Sequence, residues 1–277
     1  MFKQLNPTLR SVLIIQLSHY AFTAFVTFIL MEVWSENSSI KDIFLFSIIL
    51  YGFRLVFLAP AAKLVLKNKI DLALKLSFVV SLVFSIFVLF FYASIDSFYI
   101  RIISLALFYS LNTTLFILSN NQVVSQGGKE KEFELFFYLS GISQKFVNVL
   151  LPVLIGMIVT VTSFETSFTL IGILSVVSII YLSKKEKTEF SQKEYTLKEL
   201  FQLETNEEEK KVQRYHYVFI FLSLMVVHFS EVILQAVMFT ITENAFYIGL
   251  IKSTSIILLF GVLWFKERAF TNLTFLF

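Results

Sequence analysis

The chain has 277 residues, of which 57% are hydrophobic and 16% are charged, and its formal net charge is +3. Soluble domains average roughly 45–50% apolar and about 25% charged residues, so we expect lipid rather than water to surround most of this chain. The lack of cysteine excludes disulfides, thiol catalysis and thiolate metal sites. The sequence has no basic stripe that would favour a nucleic-acid partner.

Eight apolar segments are long enough to cross a bilayer, whose core of ~30 Å needs about 20 helical residues. They are predicted at 11–31, 43–62, 75–94, 99–118, 134–160, 167–183, 215–239 and 246–265. Helices are expected because lipid cannot satisfy unpaired backbone groups, and no alternating pattern of barrel strands is seen. The first segment is longer than the ~7–15-residue apolar core of a cleavable signal, so we expect it to remain as a span. The predicted fold class is an all-α, polytopic transmembrane helix bundle.

The lysines and arginines lie mainly in alternate loops. With the amino terminus in the cytoplasm, 18 of the 23 fall in cytoplasmic loops and two, Lys41 and Arg101, fall in loops on the outer side of the membrane. The other three, Arg54, Lys145 and Lys252, fall within the spans. This asymmetry indicates the orientation, because cytoplasmic loops carry an excess of positive charge. We therefore predict a multi-pass protein of the cell membrane with a cytoplasmic amino terminus and the lipid bilayer as a partner.

One long polar run divides the apolar segments into six and two. The predicted organisation is a six-helix half at 1–183, a cytoplasmic linker at 184–214 and an incomplete second half at 215–277. The chain also repeats itself after about 208–209 residues, since Ser18-His19-Tyr20 is echoed by Val227-His228-Phe229. Two halves related by an axis along the membrane normal are the architecture of one large transporter class.

Two stretches carry the motifs of a transporter family. The run Leu151-Pro152-Val153-Leu154-Ile155-Gly156 is similar to a Gly-Pro-x-x-Gly-Gly signature, with Leu151 and Ile155 in place of two glycines. The loop 60–71 stands where that family has Gly-x-x-x-Asp-Arg-x-x-x-Arg-Arg. The remnant of this gating loop comprises Lys63 in place of Gly, Lys67 in place of Asp, Asn68 in place of Arg, and Asp71.

On these stretches the chain resembles the major facilitator superfamily, and within it the multidrug or macrolide efflux and siderophore-exporter branch. The resemblance implies a bundle in which Pro152 and Gly156 bend the fifth helix and let it pack closely on a neighbour. It also implies altered gating, because the family's loop Asp joins a charge relay and Lys67 replaces it here. The family has twelve spans, so we expect this chain to be truncated after the eighth. The alternative is a shorter protein that completes its fold by pairing.

Ionisable groups inside spans are costly and are therefore candidates for function. Glu231 lies mid-way along the seventh span, with His228 one helical turn before it, and this pair suits proton uptake and release. The resemblance implies that the first and seventh helices line a central cavity, so His19 is expected to face His228 across it. Arg54 is centred in the second span and is expected to face a water-filled cavity or a carboxylate. The alternative for each is a polar contact between helices.

A second set of polar residues provides weaker cavity candidates. They are Gln16 in the first span, Asn112 in the fourth, and Gln144, Lys145 and Asn148 in the fifth. For Lys145 the alternative is that its ammonium reaches the membrane interface, as long basic side chains do.

No zinc, nucleophile-elbow or phosphate-loop motif is present, so no enzyme, cofactor or metal site is expected. The sequence thus predicts a secondary active transporter that exports a small molecule by alternating access, driven by protons. The alternative is a non-transporting membrane protein, either a degenerate remnant or an immunity or assembly partner.

Overall fold

The structure, a computed structural model, describes residues 5–35, 40–66, 69–127 and 130–184, with eleven separate residues between Tyr215 and Leu258. Several predictions fall outside the described residues: the linker, most of the last two spans, Lys67, Asn68, His228 and Glu231. These remain predictions.

Helix is the regular secondary structure of the part of the chain that is described, and no strand occurs there. Six α-helices follow one another: α1 (Pro7–Ser35), α2 (Ile40–Leu66), α3 (Ile70–Phe90), α4 (Phe98–Gly127), α5 (Glu130–Val161) and α6 (Phe164–Lys184). A single 3₁₀ turn, Tyr92–Ser94, lies between α3 and α4. The all-α prediction is therefore confirmed for these residues.

Five of these helices are long and apolar enough to cross a membrane, and α6 adds a shorter apolar helix, Phe168–Lys184. Large apolar side chains such as Val56 (66% exposed) and Phe146 (63% exposed) lie on the outside of the bundle. Exposed apolar surface on this scale requires an apolar medium or a partner. The chain is a multi-pass membrane protein.

The third span is placed differently from the prediction of 75–94. The helix α3 begins at Ile70 and ends at Phe90, and the chain then leaves the α conformation for the 3₁₀ turn. The prediction began too late because it left Asp71, a charged residue in the first turn of α3, outside the span and started at Lys75. The other five predicted spans in the first half lie inside the observed helices.

Short connections make consecutive helices antiparallel. Two polar contacts show which termini meet. The Asn6 side chain donates to Glu132 Oε2 (3.2 Å), and the Tyr181 hydroxyl donates to Ser11 Oγ (3.1 Å). The start of α1, the start of α5 and the end of α6 therefore share one end of the bundle, which we call the amino-terminal end.

The helices pack in a repeating pattern. The central helix α1 packs against α4, α5 and α6, and the central helix α4 packs against α1, α2 and α3. The other main contacts are α3 with α6, α2 with α3, and α5 with α6. Exchanging α1 with α4, α2 with α5 and α3 with α6 leaves this set of pairs unchanged. Because consecutive helices are antiparallel, each helix and its counterpart run in opposite directions. The pattern thus relates two oppositely oriented sets of three consecutive helices, which we call the units α1–α3 and α4–α6, and most of the main contacts run between the two units.

Helices that correspond in this exchange are also buried to similar extents in two of the three pairs. The apolar stretches of α1 and α4 are 61% and 56% buried, whereas those of α2 and α5 are only 22% and 25% buried. The two internal prolines, Pro60 and Pro152, also fall on α2 and α5. Helices α1 and α4 are therefore central, and α2 and α5 present broad outer faces.

Among the contacts between the two units, the one between α3 and α6 is tight. Phe84 is completely buried, and its ring meets those of Phe22, Phe108 and Phe168 at centroid distances of 5.4–5.8 Å. The Ser85 hydroxyl donates to the Phe168 carbonyl. One helical turn further, Gly172 lets α6 approach so closely that an added Cβ would lie 3.2 Å from Ser85 Oγ.

Candidate functional site

A cavity of about 520 Å³ opens among α1, α4 and α5, towards the amino-terminal end. It is lined by three carboxamides, one hydroxyl, three aromatic rings and one valine: Gln16, Asn120, Asn121, Ser140, Phe133, Phe136, Phe137 and Val124. Small-molecule sites have about this volume, and they combine an apolar wall with a few polar groups. The lining carries no formal charge.

Hydrogen bonds organise the polar wall of this cavity around Gln16. Its amide nitrogen donates to Asn120 Oδ1 (3.2 Å), and its carbonyl oxygen accepts from the Ser140 hydroxyl (2.9 Å). The Tyr20 side chain also interacts with Ser140. One residue of α1 is thus bonded to both α4 and α5, which positions the polar groups of three helices at one place.

The cavity wall lies well inside the membrane-crossing part of the bundle. Gln16 is nine residues from the start of α1 and Ser140 is ten residues from the start of α5. At 1.5 Å per residue, each lies about 14 Å along its helix. Polar groups at this depth are costly unless they meet each other, water or a ligand.

A line of hydroxyl groups continues from Gln16 along α1 towards the opposite end. Tyr20, Thr23 and Thr27 follow at spacings of four, three and four residues, which place them on one helix face. Thr23 and Thr27 donate to carbonyls one turn earlier in their own helix, both at 2.9 Å. We call Gln16, Tyr20, Thr23 and Thr27 the polar stripe of α1.

His19 is one helical turn from Gln16 on α1, but it is not among the residues that line the cavity. Its ring is buried and stacks on Phe116 of α4, with a centroid distance of 3.8 Å and an interplanar angle of 9°. The Asn112 side chain is its polar neighbour. The structure therefore places His19 in the contact between α1 and α4.

Asn112 joins α4 to α3. Its amide nitrogen donates to the Ser77 carbonyl and to Ser81 Oγ, both at 2.7 Å, while its buried Oδ1 has no hydrogen-bond partner among the described residues. The residue is 1% exposed and does not line the cavity. Its hydrogen bonds are those of an interhelical polar contact.

Arg54 projects from the middle of α2 towards α4. Its guanidinium carbon lies 5.2 Å from the ring centroid of Tyr51 and 5.7 Å from that of Tyr109. The Nε atom is buried and has no hydrogen-bond partner in the described part of the chain. The structure therefore separates Arg54, in the α2–α4 contact, from Gln16, in the α1–α5 contact.

The remaining predicted residues lie on three helices. Lys63 is exposed near the end of α2, and Asp71 is half-buried in the first turn of α3. Gln144 is exposed on α5, whereas Pro152 and Gly156 are buried within that helix, which continues through both of them.

Lys145 and Asn148 also belong to α5, and only their place in the helix is described. A described residue of the eighth predicted span contacts this helix. The buried Ser253 donates its hydroxyl to the carbonyl of Val149. Part of the second half therefore lies against α5.

Sequence reasoning identified Gln16 but did not select Asn120, Ser140 or Tyr20. The sequence signal for Ser140 and Tyr20 is a serine or a tyrosine at a helical spacing within an apolar run. This pattern is common in membrane helices, so it does not single out a site. No group of three or more potential metal ligands occurs within the described residues.

Comparison of the chain with protein-family models, with curated proteins and with solved structures gives no match.

Proposed function

We propose that the protein is a secondary transporter of small molecules, of the major facilitator type, and that it works by alternating access. The observation that carries this proposal is the exchange pattern of the six helices, in which each main contact of α1–α3 has its counterpart in α4–α6. Two inverted three-helix repeats nested within a six-helix half are the construction principle of such transporters.

The cavity supports the same proposal. Its polar groups lie on the central helices α1 and α4 and on α5, whose outer face also receives Ser253 of the second half. In our proposal Gln16, Asn120 and Ser140 orient the polar part of the substrate, and the three phenylalanine rings hold its apolar part. The polar stripe of α1 continues the route towards the other side of the membrane.

The remaining elements of the proposal rest on the sequence. The amino terminus lies in the cytoplasm of a cell-membrane exporter, and protons drive export through His228 and Glu231. A carboxylate and an imidazole one turn apart on a helix can pass a proton between them.

Cysteine accessibility tests alternating access without knowledge of the substrate. The chain has no cysteine, so single-cysteine variants have no background. Thr23 lies 16 residues into α1, about 24 Å from its start and near the middle of the helix. We expect Thr23→Cys to react with a membrane-impermeant maleimide from both sides of sealed vesicles, because alternating access exposes the middle of the polar stripe of α1 to each side of the membrane in turn.

Two matched variants complete the experiment. Ser140→Cys, in the cavity, is expected to react from the amino-terminal side, and the buried Ser81→Cys is expected not to react. An imposed proton gradient should change the ratio of the two labelling rates for Thr23→Cys, and Glu231→Gln should remove that change. Labelling of Thr23→Cys from one side only would favour the non-transporting alternative and overturn the proposal.

A further inference from the structure

Arg54 is a charged group far from both membrane surfaces. It lies fourteen residues from Ile40 and twelve from Leu66, which places it about 21 Å and 18 Å along the helix from the two ends. At that depth its side chain cannot reach an interface easily, so a charged partner or water is required.

Two tyrosine rings hold the guanidinium without neutralising it. Tyr51 precedes Arg54 by one turn of α2, and Tyr109 comes from α4. Cation–π contacts of this kind fix the plane of the guanidinium and are strengthened by desolvation. The charge itself remains, because a neutral ring brings no counter-ion.

A second arginine of this protein also contacts a tyrosine ring, and its side chain has a hydrogen-bond acceptor. Arg101, at the start of α4, lies 5.1 Å from the Tyr92 ring centroid, and its Nε donates to the Ile95 carbonyl at 2.7 Å. Arg54 has comparable ring contacts, yet its buried Nε meets no acceptor among the described residues. A buried donor left without an acceptor is costly, and natural structures seldom leave one so without a reason.

We propose that Arg54 binds the carboxylate of the transported molecule. A carboxylate accepts two parallel hydrogen bonds from Nε and one Nη of a guanidinium, which is the arrangement that an arginine held between rings presents. This would give the orphan Nε its acceptor and the charge its counter-ion. The inference rests on the proposed function, and it defines the substrate as a small organic carboxylate.

The position of Arg54 relative to the cavity fits this substrate. Tyr109 and Asn120 are eleven residues apart on α4, which is three helical turns, so they lie on one face about 16 Å apart. The buried Thr113 and Phe116 lie on this face between the two points, so in our proposal the substrate reaches Arg54 only when α1 and α4 move apart. The apolar and charged parts of the substrate would thus be recognised at separate points.

Thermal stabilisation of the purified full chain in detergent tests the inference. The probes are benzoate, phenylacetate and 1-naphthoate, each paired with its own carboxamide as an uncharged control. A ligand that binds the folded state raises its apparent stability with concentration. We expect at least one carboxylate to raise the melting temperature well above the effect of its amide.

Variants assign the effect to the residue. We expect Arg54→Gln to weaken binding of that carboxylate at least tenfold and Arg54→Lys to weaken it less, because lysine keeps the charge but not the fork. Arg101→Gln, the control with similar ring contact, should bind as the wild type does. Tyr109→Phe, which keeps the ring, should bind more tightly than Tyr109→Leu, which removes it.

Three results would overturn the inference. The first is equal stabilisation by carboxylates and amides, and the second is binding that Arg54→Gln leaves unchanged. The third is mutual rescue of stability in an Arg54→Gln, Glu231→Gln double variant, which would show that a carboxylate of the chain occupies the guanidinium. If Thr23→Cys is labelled from both sides but carboxylates bind no better than their amides, this inference fails and the proposed function stands. If Thr23→Cys is labelled from one side only but carboxylates bind in an Arg54-dependent way, the proposed function fails and the carboxylate site stands.

Discussion

The contact between α1 and α5 and the contact between α2 and α4 occupy equivalent places, since the exchange that relates the two units converts one into the other. In the first, Gln16, Tyr20 and Ser140 form an uncharged polar network beside an open cavity. In the second, Arg54 lies against Tyr109, and the buried Ser110 hydroxyl donates to a carbonyl of α2. One position is neutral and lies beside a cavity, and the other carries a cation held between tyrosine rings.

The two units are more similar in their helix packing than in the polar side chains at the equivalent contacts. Pro60 and Pro152 are 92 residues apart, and each lies in the second helix of its unit. Arg54 precedes the first proline by six residues, and Lys145 precedes the second by seven. Internal prolines and packing partners are therefore common to both units, whereas the polar side chains at the equivalent contacts differ.

The largest effect is expected at the tight contact between α3 and α6. Gly172→Leu should lower the free energy of unfolding by about 3 kcal/mol, because overpacking a tight helix contact forces the backbones apart. The measurement is unfolding of the purified protein in mixed micelles. Gly52→Leu and Gly141→Leu are the controls, since an added Cβ meets nothing within 4 Å at either place. Equal losses at all three positions would contradict the tight α3–α6 contact.

The next effect concerns the uncharged contact. Gln16→Leu has a similar volume but removes the hydrogen bonds to Asn120 and Ser140. We expect the rate of carboxylate transport in proteoliposomes to fall at least tenfold, which corresponds to about 1.4 kcal/mol of transition-state stabilisation. Stability should change by less than about 1 kcal/mol, since water can enter the cavity. Unchanged transport would remove Gln16 from the site.

A smaller effect is expected at Asn112. Asn112→Leu should cost about 1 kcal/mol of stability, because two interhelical hydrogen bonds are lost and each contributes on the order of 0.6 kcal/mol in a membrane. Ser119→Ala is the control on the same helix, since its buried hydroxyl has no partner among the described residues. A loss for Ser119→Ala as large as that for Asn112→Leu would contradict this account.

The smallest effect compares the two equivalent contacts directly. Ser110→Ala removes the buried 2.9 Å hydrogen bond to the Leu50 carbonyl and should cost about 0.6 kcal/mol of stability without changing transport. Ser140→Ala should do the reverse, with a smaller loss of stability and slower transport, because its partner Gln16 lies at an open cavity. Identical behaviour of the two variants would show that the contacts do not differ in role.

Sequence alone determined which segments of the first half form long apolar helices. Hydropathy is a local property, and twenty apolar residues in lipid must satisfy their own backbone by forming a helix. Five of the six predicted spans therefore lie inside observed helices, and the third was predicted to begin at Lys75 because the charged Asp71 was left outside it. The polar residues of single helices, Gln16 and Arg54 among them, were visible for the same local reason.

Only the tertiary structure decided what those residues meet. The spacing along α1 shows that Gln16 and Tyr20 share a face, but it carries no information on which helix that face contacts. The packing of α1 between α4 and α5 brings Asn120 and Ser140 to Gln16, and it places His19 against Phe116 instead. In lipid, apolar surfaces of different helices are nearly equivalent, so small residues and a few interhelical hydrogen bonds select the partners, and these act only once the helices are assembled.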